Sequence, residues 1–189
     1  MKLKALGLSG RGGAGKTTTA RALMAADNRF VNLPISAPIK AMMRELYRAL
    51  GVDDETIKRK LDGNLKREPC PYLNPNLSIT PTAAMQTLGT EWGRMMIDED
   101  LWARAWAAMV AALPDGSVAI NDSIRFPNEA DAVRALGGTI VRIEGRGDLS
   151  AEHVSERSAP EPDYVINNAG MSSEWTASVV LDWCKEVGN

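Results

Sequence analysis

An octapeptide near the start of the chain, GRGGAGKT at residues 10–17, constrains the fold more than any other feature. It follows a short apolar run, residues 3–8, and precedes a helix-forming segment, residues 16–26. Glycines at this density let the backbone curl until its N–H groups point inward, where they can bind phosphate oxygens beside the positive end of a helix. The octapeptide matches the phosphate-binding loop, or P-loop, in the strand–loop–helix context that this motif requires. The sequence therefore predicts an α/β protein that binds a polyphosphate.

Each position of the P-loop has an expected part in binding a triphosphate. The lysine at its end would neutralise the β- and γ-phosphates, and the threonine after it would offer its hydroxyl to Mg²⁺. The alternative is a glycine-rich turn without a ligand. The predicted triphosphate-binding residues are Gly10, Arg11, Gly12, Gly13, Ala14, Gly15, Lys16, Thr17 and Thr18.

Composition excludes several other kinds of protein. Twenty-two basic and 24 acidic residues in 189 give a formal net charge of −2, which lacks the basic excess that binding to a nucleic-acid polymer requires. Cys70 and Cys184 lie far apart in the sequence, so neither a disulfide framework nor a zinc site is expected. The opening run, residues 1–9, is too short for a signal peptide or a membrane span. These features predict a cytoplasmic protein without a membrane partner.

Strand and helix patterns alternate along both ends of the chain. Further strands are predicted at residues 30–35, 117–121, 139–143 and 164–166, each a short apolar run bounded by turn residues. Helices are predicted from Pro127 to the glycine pair at 137–138, and over residues 173–187. This alternation indicates a parallel sheet of about five strands with helices on both faces, built from residues 1–35 and 115–189.

The middle of the chain, residues 36–114, has almost no strand pattern and predicts a helical insertion. The proline-rich stretch 68–81 is expected to be a loop within it. Helices are predicted over residues 38–50, from Thr82 onward, and over residues 100–113. The side chains expected to be buried are Ile39, Met42, Leu46 and Leu50 in the first helix, Ala84, Leu88, Trp92 and Met95 in the second, and Trp102, Trp106, Met109 and Leu113 in the third.

Two charged residues follow the predicted strand 117–121. Asp122 is expected at the carboxyl edge of the sheet beside the P-loop, where its carboxylate could hold a metal ion. A helix cap is the alternative for Asp122. Arg125, three residues on, would present a fork of donors to a transferring or acceptor phosphate, and its alternative is a surface salt bridge.

Several segments together resemble the deoxynucleoside monophosphate kinases of bacteriophages. Besides the P-loop these are PIK at 38–40, QTLGTEWGR at 86–94, NDSIRFPNE at 121–129, HVSE at 153–156 and DYVINN at 163–168. The resemblance spans nearly the whole chain. It implies the nucleoside-monophosphate-kinase type of P-loop NTPase fold with a short lid at about residues 145–158. It also implies transfer of the γ-phosphoryl group of ATP to a deoxynucleoside 5′-monophosphate, with Mg²⁺ as cofactor.

The resemblance also implies roles for particular residues. Lys40, Arg44, Arg94 and Arg125 are candidates for the acceptor phosphate and Gln86 for the acceptor base, and Thr90 shares a helical face with Gln86 and Arg94. Lys16, Asp122 and Arg125 are the expected catalytic residues, and Thr17 and Asp122 the metal ligands. Arg142, Arg146 and Arg157 would belong to the lid, and Asn167 and Asn168 would bind adenine. For the acceptor-binding candidates in the insertion, the alternative is the polar side of an amphipathic helix. For the lid arginines it is an exposed basic loop, and for the two asparagines it is a turn.

One departure from the family pattern and two rival functions remain. Related enzymes tend to carry an arginine just ahead of the glutamine, where this chain has Thr82, Ala83 and Ala84.

Another small-molecule kinase, similar to dephospho-coenzyme A, gluconate or shikimate kinase, is the first rival function. A nucleotide-binding switch that signals through an exposed apolar patch on its insertion is the second. His153 is expected to be structural, and the sequence leaves a homodimer open.

Overall fold

The computed structural model describes residues 3–145 and 160–188 and contains a five-stranded sheet in the order β2-β3-β1-β4-β5. All four neighbouring pairs are parallel. The strands are β1 (Ala5–Ser9), β2 (Phe30–Asn32), β3 (Val118–Asn121), β4 (Thr139–Glu144) and β5 (Tyr164–Asn167). The predicted α/β class and parallel sheet are confirmed, and β2 is three residues shorter than expected.

The described residues form two units. The first comprises residues up to 35 and from 106 onward, and the second comprises residues 36–105. The chain returns from the second unit to the first within helix α5 (Leu101–Ala111), which begins in the second unit and ends in the first. Trp106 is counted with the first unit, where its indole N–H donates to the carbonyl oxygen of Leu33 at 2.6 Å.

One part of the core of the first unit lies between one face of the sheet and two helices. Side chains alternate along a strand, so Leu6 and Leu8 share a face with Ile120 and Ile143, and all four are completely buried. This face packs against α1 (Lys16–Ala26) and α7 (Ser173–Gly188).

The opposite face of the sheet packs against α6 (Pro127–Ala135) and the loop before it. A Cβ atom on Gly7 would lie 2.5 Å from Cδ1 of Ile140 and 3.0 Å from Cγ1 of Ile124. A larger residue there would displace the isoleucine side chains, so glycine lets the centre of β1 pack closely against both of them. As predicted, α6 begins at Pro127, where the missing N–H of proline costs nothing.

The second unit contains α2 (Ala37–Ala49), α3 (Asp54–Leu61), α4 (Pro81–Thr87), a π-helix (Leu88–Ile97) and the start of α5. Residues 62–80 form turns and loops, which confirms the loop predicted over most of the proline-rich stretch. The buried core consists of Met43, Tyr47, Val52, Ile57, Leu61 and Cys70.

Helix α3 was not predicted, although its sequence carries clear end signals. The Asp53 side chain caps it by accepting a hydrogen bond from the backbone N–H of Thr56 at 2.8 Å. Two acidic residues follow in the first turn and three basic residues occupy the last turn, an order that suits the helix dipole.

The predicted buried face of α2 is wrong. Met42, Leu46 and Leu50 are 43–45% exposed, whereas Met43 and Tyr47 are buried. The helix carries apolar side chains over a wide arc, so its periodicity alone could not select the covered side. The buried face of α2 is the one that carries Tyr47, whose hydroxyl oxygen accepts a hydrogen bond from the buried thiol of Cys70 at 3.6 Å.

The second predicted helix is also different from expectation, because it changes to i→i+5 hydrogen bonding at Leu88. Trp92 and Met95, predicted to be buried, are 38% and 76% exposed, and Gly89 and Gly93 are buried instead. The Trp102 indole explains the change. Its N–H donates to the Gly89 carbonyl oxygen at 2.8 Å, and a Cβ atom on Gly93 would collide with the same ring.

The third predicted helix, α5, is two residues shorter at its C-terminal end than expected. Trp102 and Trp106 are buried as predicted. Met109 and Leu113 are only half-buried, and Val110 is buried in their place. Within the described ranges, no helix combines the length and the apolar character needed to cross a membrane.

Candidate active site

The P-loop joins β1 to α1, and three of its glycines, Gly10, Gly13 and Gly15, have backbone angles that other residues rarely adopt. Gly10 has φ of +130°, and a Cβ atom there would collide with the backbone oxygen of Ile143. Gly15, with φ of +96°, is the residue before α1. These positions require glycine because of their conformation, and Gly10 also because of its neighbour on β4.

The N-terminus of α1 has the features of an anion site. No side chain caps this helix, and none of the residues in its first turn is acidic. Residues 11–13 of the preceding loop are exposed. Because a helix N-terminus carries partial positive charge and free N–H groups, this end of α1 can bind a phosphate.

The Lys16 side chain folds back over the P-loop. Its ammonium group donates to the carbonyl oxygens of Gly10 at 2.6 Å and Arg11 at 2.8 Å. A lysine held in this way places a positive charge beside the loop N–H groups, where phosphate oxygens would bind.

Thr17 and Asp122 meet at the carboxyl edge of the sheet. The Thr17 hydroxyl donates to Oδ2 of Asp122 at 2.8 Å, across 105 residues of sequence. The parallel register of β1 with β3 pairs Gly7 with Asn121, which brings the residue after β3 to the start of the P-loop. Asp122 does not cap α6, because the capping residue of that helix is Phe126.

Arg125 lies in the loop between β3 and α6 and is exposed. Its backbone N–H donates to Oε2 of Glu129 at 2.8 Å. In residues 3–145 and 160–188, no salt bridge or hydrogen bond engages its guanidinium group. The surface salt bridge considered as an alternative is therefore absent from this part of the chain.

Asn167 and Asn168 close the strand β5 and have different surroundings. Asn168 is buried, and its Nδ2 donates to the carbonyl oxygen of Ala14 in the P-loop at 3.0 Å. Asn167 is exposed, and its side-chain oxygen accepts from the backbone N–H of Ala169. Asn168 therefore supports the P-loop backbone.

The predicted lid residues are only partly covered by the structure. Arg142 lies in β4, and its guanidinium donates to the carbonyl oxygen of Pro160 at 2.9 Å. Arg146, Arg157 and His153 lie outside the described residues.

The second unit holds the other predicted acceptor-binding residues. Lys40 forms a salt bridge with Asp62 at 2.5 Å. Arg44 is half-buried in α2, whereas Gln86 in α4 and Thr90 in the π-helix are exposed. Arg94 donates to the carbonyl oxygen of Glu99 at 3.4 Å. The sequence-based alignment of residues 86, 90 and 94 assumed α-helical spacing, and the π-helix alters it from Leu88 onward.

Comparison with known proteins gives two related sequences, and no protein-family model matches the chain. A protein of Acanthamoeba polyphaga mimivirus, whose name provisionally assigns it as a deoxynucleotide monophosphate kinase, is 28% identical over 193 aligned positions. That alignment covers 93% of each chain. The deoxynucleoside-5′-monophosphate kinase of Escherichia phage T5 is 30% identical over 110 positions, covering 47% of this chain and 44% of the phage protein.

This chain is related to the deoxynucleoside monophosphate kinases. The resemblance drawn from the sequence motifs is thereby confirmed. A kinase relative that aligns over nearly its full length agrees with a sheet that brings a P-loop, a threonine and an aspartate together. Both relatives are named as kinases, which are phosphotransferases.

Two residues of this candidate site were not singled out from the sequence. Asn121, the last residue of β3, is completely buried and binds the loop that carries Asp122. Glu129 is also buried and accepts from the backbone of Arg125. Proline at the first helical position with glutamate at the third is a capping signal that could have identified Glu129. No local pattern distinguishes Asn121 from other strand ends.

The oxygen atoms of Thr17 and Asp122 are the hard donors that Mg²⁺ prefers. In the parts of the chain that the structure describes, no group of three or more histidine, cysteine, aspartate or glutamate side chains could hold a metal ion. This donor set fits a cation that takes its remaining ligands from phosphate oxygens and water.

Proposed function

We propose that this chain transfers the γ-phosphoryl group of ATP to the 5′-phosphate of a deoxynucleoside monophosphate, giving ADP and a deoxynucleoside diphosphate. The observation that carries the proposal is the 2.8 Å contact between Thr17 and Asp122 beside a complete P-loop. A glycine-rich turn without a ligand would not need a hydroxyl and a carboxylate converging at its end. The names of both relatives describe the same reaction class.

The chemistry requires positioning and charge neutralisation more than proton transfer. The bond between the γ-phosphorus and the β–γ bridging oxygen breaks, and an oxygen of the acceptor phosphate forms the new bond to phosphorus. The acceptor phosphate is already ionised at neutral pH, so no general base is needed. This is consistent with a donor site built from backbone N–H groups, Lys16 and Asp122.

The P-loop would bind the donor triphosphate. Lys16 now donates to the carbonyl oxygens of Gly10 and Arg11, and these bonds would be exchanged for bonds to β- and γ-phosphate oxygens. Asn168 holds the loop through Ala14, so the N–H groups are set before the nucleotide arrives. Asn167, which is exposed, is the better placed of the two asparagines to meet adenine.

Thr17 and Asp122 would hold Mg²⁺ with the nucleotide. When bound, the ion neutralises negative charge on the β- and γ-phosphates. Thr17 fixes the orientation of the Asp122 carboxylate through its hydroxyl.

In the first unit Arg125 is proposed for the acceptor phosphate, and the second unit carries further candidates for binding a nucleotide. Arg125 has a guanidinium group available for a phosphate, and Gln86 and Thr90 have exposed polar groups available for a nucleotide. The remaining candidates in that unit are Lys40, Arg44 and Arg94, and those of the lid are Arg142, Arg146 and Arg157.

One assay tests the proposal. The protein is incubated with ATP, Mg²⁺ and, in separate reactions, each common ribo- and deoxyribonucleoside monophosphate, and the products are separated by ion-exchange chromatography. Formation of a deoxynucleoside diphosphate in step with ADP supports the function. ADP release at a rate that no monophosphate changes contradicts it.

A second candidate function is favoured by one observation. Met95, Met96 and Ile97 at the end of the π-helix are 54–76% exposed, and Met42 and Leu46 of α2 and Leu50 just after it are exposed too. An exposed apolar patch of this kind is typical of a surface that binds another protein, as in a nucleotide-dependent switch. The switch predicts acceptor-independent ADP release in the same assay, whereas a different small-molecule kinase predicts transfer only when dephospho-coenzyme A or a sugar acid is supplied.

A further inference from the structure

The loop between β3 and α6, residues 122–126, carries both charged groups that the proposed function assigns to the first unit. Asp122 stands at its start and Arg125 three residues later. Loops of this kind are usually more mobile than the elements they connect. The two charges can act on one set of phosphates only if the loop backbone holds a fixed shape.

Asn121 fixes the first end of this loop. Its side chain is completely buried, and Oδ1 accepts from the backbone N–H of Ser123 at 3.2 Å and from the Ser123 hydroxyl at 3.0 Å. The same oxygen accepts from the backbone N–H of Ile35 at 3.2 Å. One buried carboxamide oxygen thus joins the loop just after Asp122, the residue that contacts Thr17, to the chain segment that follows β2.

Glu129 fixes the other end. Its Oε2 accepts from the backbone N–H groups of Arg125 at 2.8 Å and Phe126 at 3.3 Å. The backbone N–H of Glu129 in turn donates to the Phe126 carbonyl oxygen at 3.1 Å. The backbone of Arg125 is therefore held although its side chain is exposed.

The burial of Glu129 sets it apart from a carboxylate that only caps a helix. Asp53, which caps α3, is exposed, as is Asp98, which accepts from the backbone just ahead of α5. Glu129 is 3% exposed, and a buried carboxylate is costly unless hydrogen bonds satisfy it. Two of the donors that satisfy Glu129 are the backbone groups of the loop that bears Arg125.

We propose that Asn121 and Glu129 are positioning residues for phosphoryl transfer, which hold the loop 122–126 so that Asp122 and Arg125 face the same phosphates. This inference rests on the proposed function. It assigns neither residue a contact with substrate. Glu129 acts through the backbone of Arg125, and Asn121 acts through Ser123.

A double-mutant cycle tests the inference. Initial rates of transfer are measured for the wild type, Glu129→Gln, Arg125→Ala and the double variant. Glutamine keeps the size of the side chain but replaces a charged acceptor by a neutral one, so kcat should fall about tenfold, the scale expected for a hydrogen bond to a charged group. The Kd for ATP should stay unchanged, because the groups that Glu129 holds, the backbone N–H groups of Arg125 and Phe126, lie outside the P-loop.

The decisive comparison is the effect of Glu129→Gln when Arg125 is already alanine. If Glu129 acts through Arg125, the second change should then lower kcat less than about twofold, because neighbours in one network are not additive. An equal loss of kcat in both backgrounds would overturn the positioning role. It would show a general structural effect instead.

Two further variants serve as a control and as a substitute for Glu129→Gln. Glu174→Gln makes the same change in the first turn of α7, away from the loop, and should leave kcat and KM unchanged. Should Glu129→Gln not fold, Ser123→Ala replaces it in the cycle, because it removes only the hydroxyl bond to Asn121 at a half-buried site. A wild type that transfers no phosphoryl group to any acceptor would overturn the proposed function itself, whereas an active wild type with an additive cycle overturns only this inference.

Discussion

The side-chain amide of Asn168 donates to the carbonyl oxygen of Ala14 at 3.0 Å and so joins the end of β5 to the P-loop across 154 residues of sequence. Asn168 is 2% exposed, and its Oδ1 has no hydrogen-bond partner in the described structure. Buried polar groups without a partner are uncommon in folded proteins. Asn168 keeps this unsatisfied oxygen buried while its side-chain N–H group holds the Ala14 backbone in place.

Replacement of Asn168 should weaken both the fold and the donor site. Asn168→Ala leaves the Ala14 carbonyl without its donor, so the free energy of unfolding should fall by about 1–3 kcal/mol. The Kd for ATP should rise about tenfold, the equivalent of about 1.4 kcal/mol, because the loop is no longer held. Urea unfolding and calorimetric titration with ATP measure the two effects. Asn32→Ala, at an exposed position of β2, is the control, and equal ATP affinity in all three proteins would refute the support role.

In the proposed reaction, the positive charge of Lys16 stabilises the transition state of phosphoryl transfer more than the bound ATP. Lys16→Ala should lower kcat at least ~100-fold, the loss typical of removing one group that stabilises charge in the transition state. The rate of ADP formation with saturating acceptor measures it, and circular dichroism checks the fold. Lys185→Ala, at an exposed lysine of α7, should keep the wild-type rate. If a folded Lys16→Ala protein transferred phosphate at nearly the wild-type rate, Lys16 would have no role in the transfer step.

Asp122 should determine how much Mg²⁺ the reaction requires. In Asp122→Asn the side-chain oxygen can still accept from Thr17, but the negative charge that favours the cation is gone. The Mg²⁺ concentration for half-maximal rate should rise about 10–100-fold, as for changes to groups that hold or orient metal ligands. Asp115→Asn, in the turn before β3, is the matched control. An unchanged Mg²⁺ dependence in Asp122→Asn would mean that the carboxylate does not act on the metal.

The contact between Gly93 and Trp102 should make the π-helix sensitive to a single methyl group. A Cβ atom at residue 93 would collide with the indole ring. Gly93→Ala should therefore lower the free energy of unfolding by about 1–3 kcal/mol, the usual cost of overpacking. In Gly188→Ala, at the end of α7, the nearest described side chain to the new methyl group is Leu3 at 3.8 Å, so this variant should not be destabilised. Thermal unfolding followed by tryptophan fluorescence compares the variants, and equal midpoints would show that the ring can move aside.

The first unit was predictable because its signals are local. Short apolar runs between glycine and proline residues fix β1, β3 and β4 to within one to three residues, and Pro127 fixes the start of α6. The buried faces of the helices in the second unit could not be predicted, because they depend on contacts with residues distant in the sequence. The thiol of Cys70 lies 23 residues from Tyr47, and the indole of Trp102 lies 13 residues from Gly89. The P-loop and Asp122 could be found from motifs, whereas Asn121 acts through hydrogen bonds that only the folded backbone creates.

Alkaline pH should destabilise the protein through its buried thiol and phenol. Burial raises the pKa of Cys184 from 9.0 to about 12, and burial also raises the pKa of Tyr47. Between pH 9 and 12 the folded chain keeps the Cys184 proton while the unfolded chain loses it. The free energy of unfolding should therefore fall as pH rises through this range, by up to about 1.4 kcal/mol per pH unit from Cys184. Urea unfolding from pH 8 to 11 measures the slope. Cys184→Ala should make it shallower whatever its effect on stability at pH 8, and equal slopes in the two proteins would show that the thiol is not the responsible group.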